Sequence, residues 1–124
     1  MGSIMQEIED EDIAHAAATA YLDDNPKTIL GEAKPKMSDT PTGPMIQMGQ
    51  VFSNGAAKYG KFNWREKTVS SSVYYDAALR HLFEWYEGAT VDADSGMHPL
   101  AHVMACCAII MDAEANGKLN DNRP

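Results

Sequence analysis

HLFEWYEGATVDADSGMHPLAH, residues 81–102, is the stretch on which the fold turns. Gly88 is the residue type that most readily takes the left-handed conformation closing a helix, and the ring of Pro99 suits a first helical position. Ahead of Gly88, Tyr75, Ala78, Leu79, Leu82, Trp85 and Tyr86 recur at helical spacing, which predicts a helix over 73–87 with that stripe facing the core. After Pro99, the run LAHVMACCAIIM is apolar almost all round and predicts a central, most buried helix that ends near Ala115, before Asn116-Gly117. A connection this short makes the two helices neighbours, so an antiparallel hairpin is expected.

The tip of that hairpin carries the chemistry. An exposed carboxylate in the last turn of a helix opposes the dipole by about 0.3–1 kcal/mol, so Glu84 and Glu87 require a compensating partner. Residues three apart share one side of a helix, which places His81, Glu84 and Glu87 along one flank of the apolar stripe. Across the loop, Pro99 makes His98 the expected N-cap and sets His102 one turn inside the next helix, with Asp92 and Asp94 between. Imidazoles and carboxylates gathered at one end of a bundle form a cage for divalent cations. Taken singly each residue has a plainer role: Glu84 and Glu87 solvated, His98 a cap, His102 a core histidine bonded to Glu84. The joint arrangement favours the cage.

Working outward, Met45, Met48, Phe52, Ala56 and Tyr59 recur every three or four residues and predict a helix with one buried face, with Pro44 as its first residue. Ile13, Ala16, Ala17, Ala20 and Tyr21 predict a first helix over 8–22, which Asn25-Pro26 would end. GEAKPKMSDTPTGP and GKFNWREKTVSSS read as loops, the second with Ser71 or Ser72 as a helix cap. Alternating β-branched runs are missing. The fold class expected is therefore all-α: a bundle of about four helices, residues 1–124 forming a single domain.

Composition narrows the function. The formal net charge of −8 and pI near 4.8 argue against a nucleic-acid-backbone binder, yet a site holding divalent cations can still accept a phosphorylated small molecule. No apolar stretch reaches the roughly 18 residues that span a bilayer, and MGSIMQEIEDED lacks the features of a signal peptide, so a cytoplasmic protein is expected. Adjacent Cys106 and Cys107 fit a reducing compartment and, inside an apolar helix, are poor nucleophiles.

GAAKYGKFNW, residues 55–64, supplies candidate substrate contacts: Lys58 for a phosphate, Asn63 for a base edge or phosphate, and Tyr59 or Trp64 for a purine face. Tyr59 and Trp64 could equally anchor the loop to the core. Arg80 is either a phosphate clamp or the partner of Asp76.

GAAKYGKFNW, YYDAALRHLFEWYEG and DADSGMHPLAH together resemble the dATP/dGTP diphosphohydrolases of phages and bacteria, within the MazG-like all-α nucleoside triphosphate pyrophosphohydrolases whose phage members include the MazZ type. The likeness covers roughly residues 34–114 and leaves 1–33 as an N-terminal helical extension. It implies hydrolysis of a purine (deoxy)nucleoside triphosphate, dGTP or GTP foremost, to monophosphate and pyrophosphate with Mg²⁺ or Mn²⁺. In a phage this would feed modified-purine synthesis in the bacterial host cytoplasm. Glu84 and Glu87 match the superfamily's first E-x-x-E pair as catalytic and metal residues, His81 with Glu84 being an alternative alignment, and His98 and His102 stand where a second acidic pair is expected. Imidazoles there would favour Mn²⁺ or a softer ion over Mg²⁺. Lys58, Tyr59, Asn63, Trp64, Arg80 and His81 are the expected substrate-binding set, and, as related folds do, the chain is expected to form a homo-oligomer, dimer or tetramer. The reading from another class is a small acidic non-catalytic binding protein that targets a host partner.

Overall fold

In a computed structural model, residues 23–124 are described; the helix expected over 8–22 lies outside them. The chain divides into two compact units, residues 1–41 and 42–124. In the first, α1 (Pro26–Glu32) is capped by Asn25, whose side chain accepts the Lys27 N–H at 2.9 Å, and a 3₁₀ turn follows at Met37–Asp39. Asn25-Pro26 thus begins a helix, with proline at the first position where its missing N–H costs nothing.

The second unit contains α2 (Thr42–Tyr59), α3 (Asn63–Glu66), β1 (Val69–Ser70), α4 (Ser71–Tyr86), α5 (Pro99–Ala115) and β2 (Leu119–Asn120). The described chain is mostly helical, as expected, with a tiny parallel sheet that pairs Val69 with Leu119 and Ser70 with Asn120. Two residues per strand are too few to show an alternating pattern. Helix α3, four residues long, is likewise too short for periodicity to reveal inside the expected loop.

Helix α5 is the most buried element, as its composition predicts. It supplies Pro99, Ala101, Ala105, Cys106 and Ala113 to the interior. Its small residues let neighbours approach closely, and Trp64 of α3 is buried with them, so that deleting the Trp64 ring would cost roughly 3–5 kcal/mol. Both long helices at the site end in Schellman motifs. Gly88 (φ +110°) follows α4 with Ala89 N–H bonded to the Glu84 carbonyl, and Gly117 (φ +68°) follows α5 with Lys118 N–H bonded to that of Ala113.

The stripe expected to bury α4 is rotated. Tyr75 is 61 %, Trp85 40 % and Tyr86 81 % exposed, and Leu82 also reaches the surface, while Ala78 and Leu79 are half-buried. The helix has two apolar flanks, and spacing alone does not say which one meets α5. Within α2, Met48, Phe52 and Ala56 are half-buried as the pattern implies, but Met45 and Tyr59 are exposed.

Nor do Ser71 and Ser72 cap α4, whose N-cap is Ser70. The cap is supplied from 50 residues away: Asn122 Oδ1 accepts the Ser72 N–H at 2.9 Å and the Ser71 hydroxyl at 2.8 Å, and Asn122 N–H donates to Ser71 Oγ at 3.1 Å. Replacing Asn122 by Ala should therefore cost about 1–2 kcal/mol in denaturant unfolding, whereas Asn120→Ala, on the same tail, should cost less.

Candidate functional site

Helix α4 and the loop to α5 bring three ligand atoms together. One each from His81, Glu84 and Asp92 lie within 4.8 Å of one another. His81 Nδ1 is 3.5 Å from Glu84 Oε2 and 3.7 Å from Asp92 Oδ1, is buried, and has no hydrogen-bond partner. A buried unpaired nitrogen aimed at two carboxylates is costly without a proton or cation between them. The set fits a divalent cation by this donor chemistry.

The loop holds Asp92 in place. Asp92 N–H donates to the Met97 carbonyl at 2.7 Å, Gly96 N–H returns to the Asp92 carbonyl at 2.8 Å, and Asp92 Oδ2 accepts the Ser95 N–H at 2.7 Å. Burial by itself would raise the Asp92 carboxyl, but the Ser95 hydrogen bonds, with Glu84 and His81 adding to them, bring it below the usual carboxylate value. Asp92 therefore presents a charged carboxylate beside Glu84, 8 % exposed.

The other expected ligands are placed differently. The imidazole of His102 stacks on that of His81, with centroids 4.3 Å apart and planes 9° from parallel, and its Nε2 lies 2.6 Å from Ser95 Oγ. Burial first, then the charges of His81 and Lys58, hold it below the ordinary histidine value against the opposing pull of Asp92 and Asp94. His98 caps α5 as expected, its Nδ1 accepting the Leu100 N–H at 3.1 Å. Glu87 is the exposed C-cap residue of α4 and is not one of the three clustered groups. Sequence had placed Asp92 at the tip without singling it out. Its three-residue spacing to Ser95, an acidic acceptor ahead of a small turn residue, was the available signal.

On the other side of His102 a cleft of about 810 Å³ opens between α2, α3 and α5, with Phe52, Tyr59, Phe62, Trp64 and Tyr74 among its walls. The volume suits a small organic ligand. Lys58 stands at its edge and is exposed. Asn63 turns its amide to the Gly60 carbonyl at 3.3 Å, and Trp64 presents its ring while its N–H is taken by Asp112 at 2.7 Å. Burial, then Cys106 and Tyr59, raises the Tyr74 hydroxyl. Arg80 is exposed, and of its two alternative roles the ion pair with Asp76 is not among those of the described residues. Burial pushes Cys106 up to about 11, as expected of a thiol inside an apolar helix, whereas Cys107, expected to be buried beside it, is exposed.

Asp112 is held down to about 2, chiefly by the Arg65 hydrogen bonds and then by Trp64. Its folded value lies below its unfolded one, so its contribution to stability is complete above about pH 4 and is lost as pH falls toward about 2. Acid unfolding should accordingly shift to higher pH in Arg65→Gln, as followed by helical circular dichroism.

No helix among the described residues is long and apolar enough to cross a membrane. A family model described as dATP/dGTP diphosphohydrolase, N-terminal, matches residues 24–123. No curated protein and no solved structure matches the chain.

Proposed function

The chain belongs to the dATP/dGTP diphosphohydrolase family and is thereby a nucleotide pyrophosphohydrolase rather than a non-catalytic binding protein, and on that premise we propose how its residues divide the work. The substrate is a purine (deoxy)nucleoside triphosphate, dGTP or GTP foremost, split between its α- and β-phosphates into monophosphate and pyrophosphate. The carrying observation is that His102 both lines the cleft and stacks on His81, so one ligand can fill the cleft while its phosphates reach the carboxylate cluster.

Glu84, Asp92 and His81 would hold Mg²⁺ or Mn²⁺, the imidazole inclining the set toward Mn²⁺. Such a cation, when bound, neutralises charge on the phosphate oxygens and lowers the pKa of water. Lys58 adds positive charge where the cleft meets the cluster. His102, kept neutral by burial, gives the triphosphate an uncharged wall that does not compete for the anion. Glu87, at the solvent rim, is the carboxylate available to orient the attacking water. His98 shapes the rim by fixing the first turn of α5, and Arg80 is an outer phosphate contact. The walls around Tyr59, Asn63 and Trp64 exclude water from the base.

In this reading α4 and α5 are the arms of an antiparallel hairpin. The protein acts as a homo-oligomer, dimer or tetramer, a reading supported by Tyr75, Phe83 and Tyr86, which are 61 %, 63 % and 81 % exposed on the outer flank of α4. Its place is the cytoplasm, and in a phage its monophosphate product would enter modified-purine synthesis. Incubation with dGTP, dATP, dCTP and dTTP in Mg²⁺ or Mn²⁺ should release pyrophosphate from the purine substrates first. Absence of release from all four with both ions would overturn the reading.

A further inference from the structure

The cleft wall contains the one non-glycine residue at positive φ among the described residues: Phe62, at φ +54° and ψ +37°, which caps α3. A bulky side chain in the left-handed region is strained and persists only where its surroundings over-determine it. Here they do. The Arg65 guanidinium lies 4.2 Å from the Phe62 ring centroid, and the Phe62 ring meets Trp64 edge-on at 5.6 Å. Trp64 in turn leans on Phe52 at 5.5 Å.

One carboxylate ties this wall to α5. Asp112 Oδ2 accepts the Trp64 indole N–H at 2.7 Å and Arg65 Nε–H at 2.7 Å, while Oδ1 accepts from Arg65 Nη2 at 2.9 Å. A bidentate fork fixes the guanidinium plane as well as its distance. The third bond fixes the rotation of the indole and leaves it no N–H for a ligand. In a helix as short as α3, whose N-cap makes no side-chain hydrogen bond, no other polar contact among the described residues orients Trp64.

We propose that Asp112 is a positioning residue for the nucleobase. Acting through Trp64 and Arg65, it locks the Phe62–Trp64 wall in the geometry against which the planar base of the nucleotide packs. The inference rests on the reading that this cleft takes the nucleotide. Pre-setting the wall removes an ordering cost that binding would otherwise carry, so Asp112 acts on affinity for the base, which the monophosphate shares with the triphosphate, and not on cleavage.

The chain has two tryptophans, Trp64 and Trp85, so Trp85→Phe leaves Trp64 as the sole indole reporter. Titrating that variant with deoxyguanosine monophosphate in EDTA should give saturable quenching without any cation. Adding Asp112→Asn, which keeps an acceptor for the indole but loses the charge that holds Arg65, should weaken the monophosphate about tenfold and raise KM for dGTP in parallel, with kcat within about twofold. Phe62→Gly, which relieves the backbone, should raise or preserve the melting temperature and still raise KM. Asp112→Asn that lowers kcat and melting temperature yet leaves monophosphate affinity unchanged would overturn the proposal, as would hydrolysis of dGTP with no quenching by its product. Quenching without hydrolysis would uphold it and overturn the catalytic reading instead.

Discussion

Glu84→Gln is expected to lower pyrophosphate release by about 10³-fold, the scale on which removing one group that stabilises transition-state charge is felt, while the folded protein becomes no less stable. The two halves of this result have one cause. Glu84 stands in the last turn of α4, where its charge is disfavoured by the helix dipole, and it lies against Asp92, a second carboxylate, with no hydrogen bond to His81. The amide keeps the shape, removes the charge and should return about 0.3–1 kcal/mol. Its backbone role is untouched, because the Glu84 carbonyl still accepts the Ala89 N–H at 3.1 Å. Thermal melts should then separate the proteins: Mn²⁺ raises the melting temperature of the wild type by linkage and leaves the variant unmoved. Glu87→Gln, made at the exposed rim, should lose less than Glu84→Gln. A Glu84→Gln protein that hydrolyses dGTP at the wild-type rate would remove the cluster from the mechanism.

Asp92→Asn should have the second largest effect, a loss on the order of 10²-fold together with weaker Mn²⁺ binding by calorimetry. Asparagine retains an oxygen for the Ser95 N–H, so the 92–97 turn should close as before, and what is lost is the charge beside Glu84. Asp94→Asn is the matched control, since Asp94 is exposed and lies outside the cluster. If Asp92→Asn is silent while His98→Ala and His102→Ala abolish Mn²⁺ binding, the cations are held by Glu84 and Glu87 with those histidines, as the family likeness implied.

The chemistry at the hairpin tip was legible in the sequence to different depths. That Glu84 needs a partner follows from its place in the last turn, and His98 could be read as a cap because proline follows it. Which of the six other imidazoles and carboxylates near the tip close on Glu84 was not legible beyond His81, which shares its flank of the helix. The choice depends on how the 87–98 loop folds, and that loop is held by Ser95, a residue with no chemistry that draws the eye in a sequence. Likewise GAAKYGKFNW declared its aromatic rings but not their restraint, because Asp112, the residue that fixes them, lies 48 positions from Trp64.

By itself the sequence determined the helical class, the start of α5 at Pro99 and its approximate end, the stop at Gly88 and the family, because each is written in local terms: spacing, caps and a short-range motif. Tertiary structure alone decided which flank of α4 turns inward, that Asp92 joins His81 and Glu84, that Asn122 caps a helix 50 residues earlier, and that Asp112 holds Trp64 and Arg65 of the aromatic wall. The reason is physical. A helix with apolar residues on two sides has no internal preference between them, and a carboxylate has no partner until packing brings distant donors within reach.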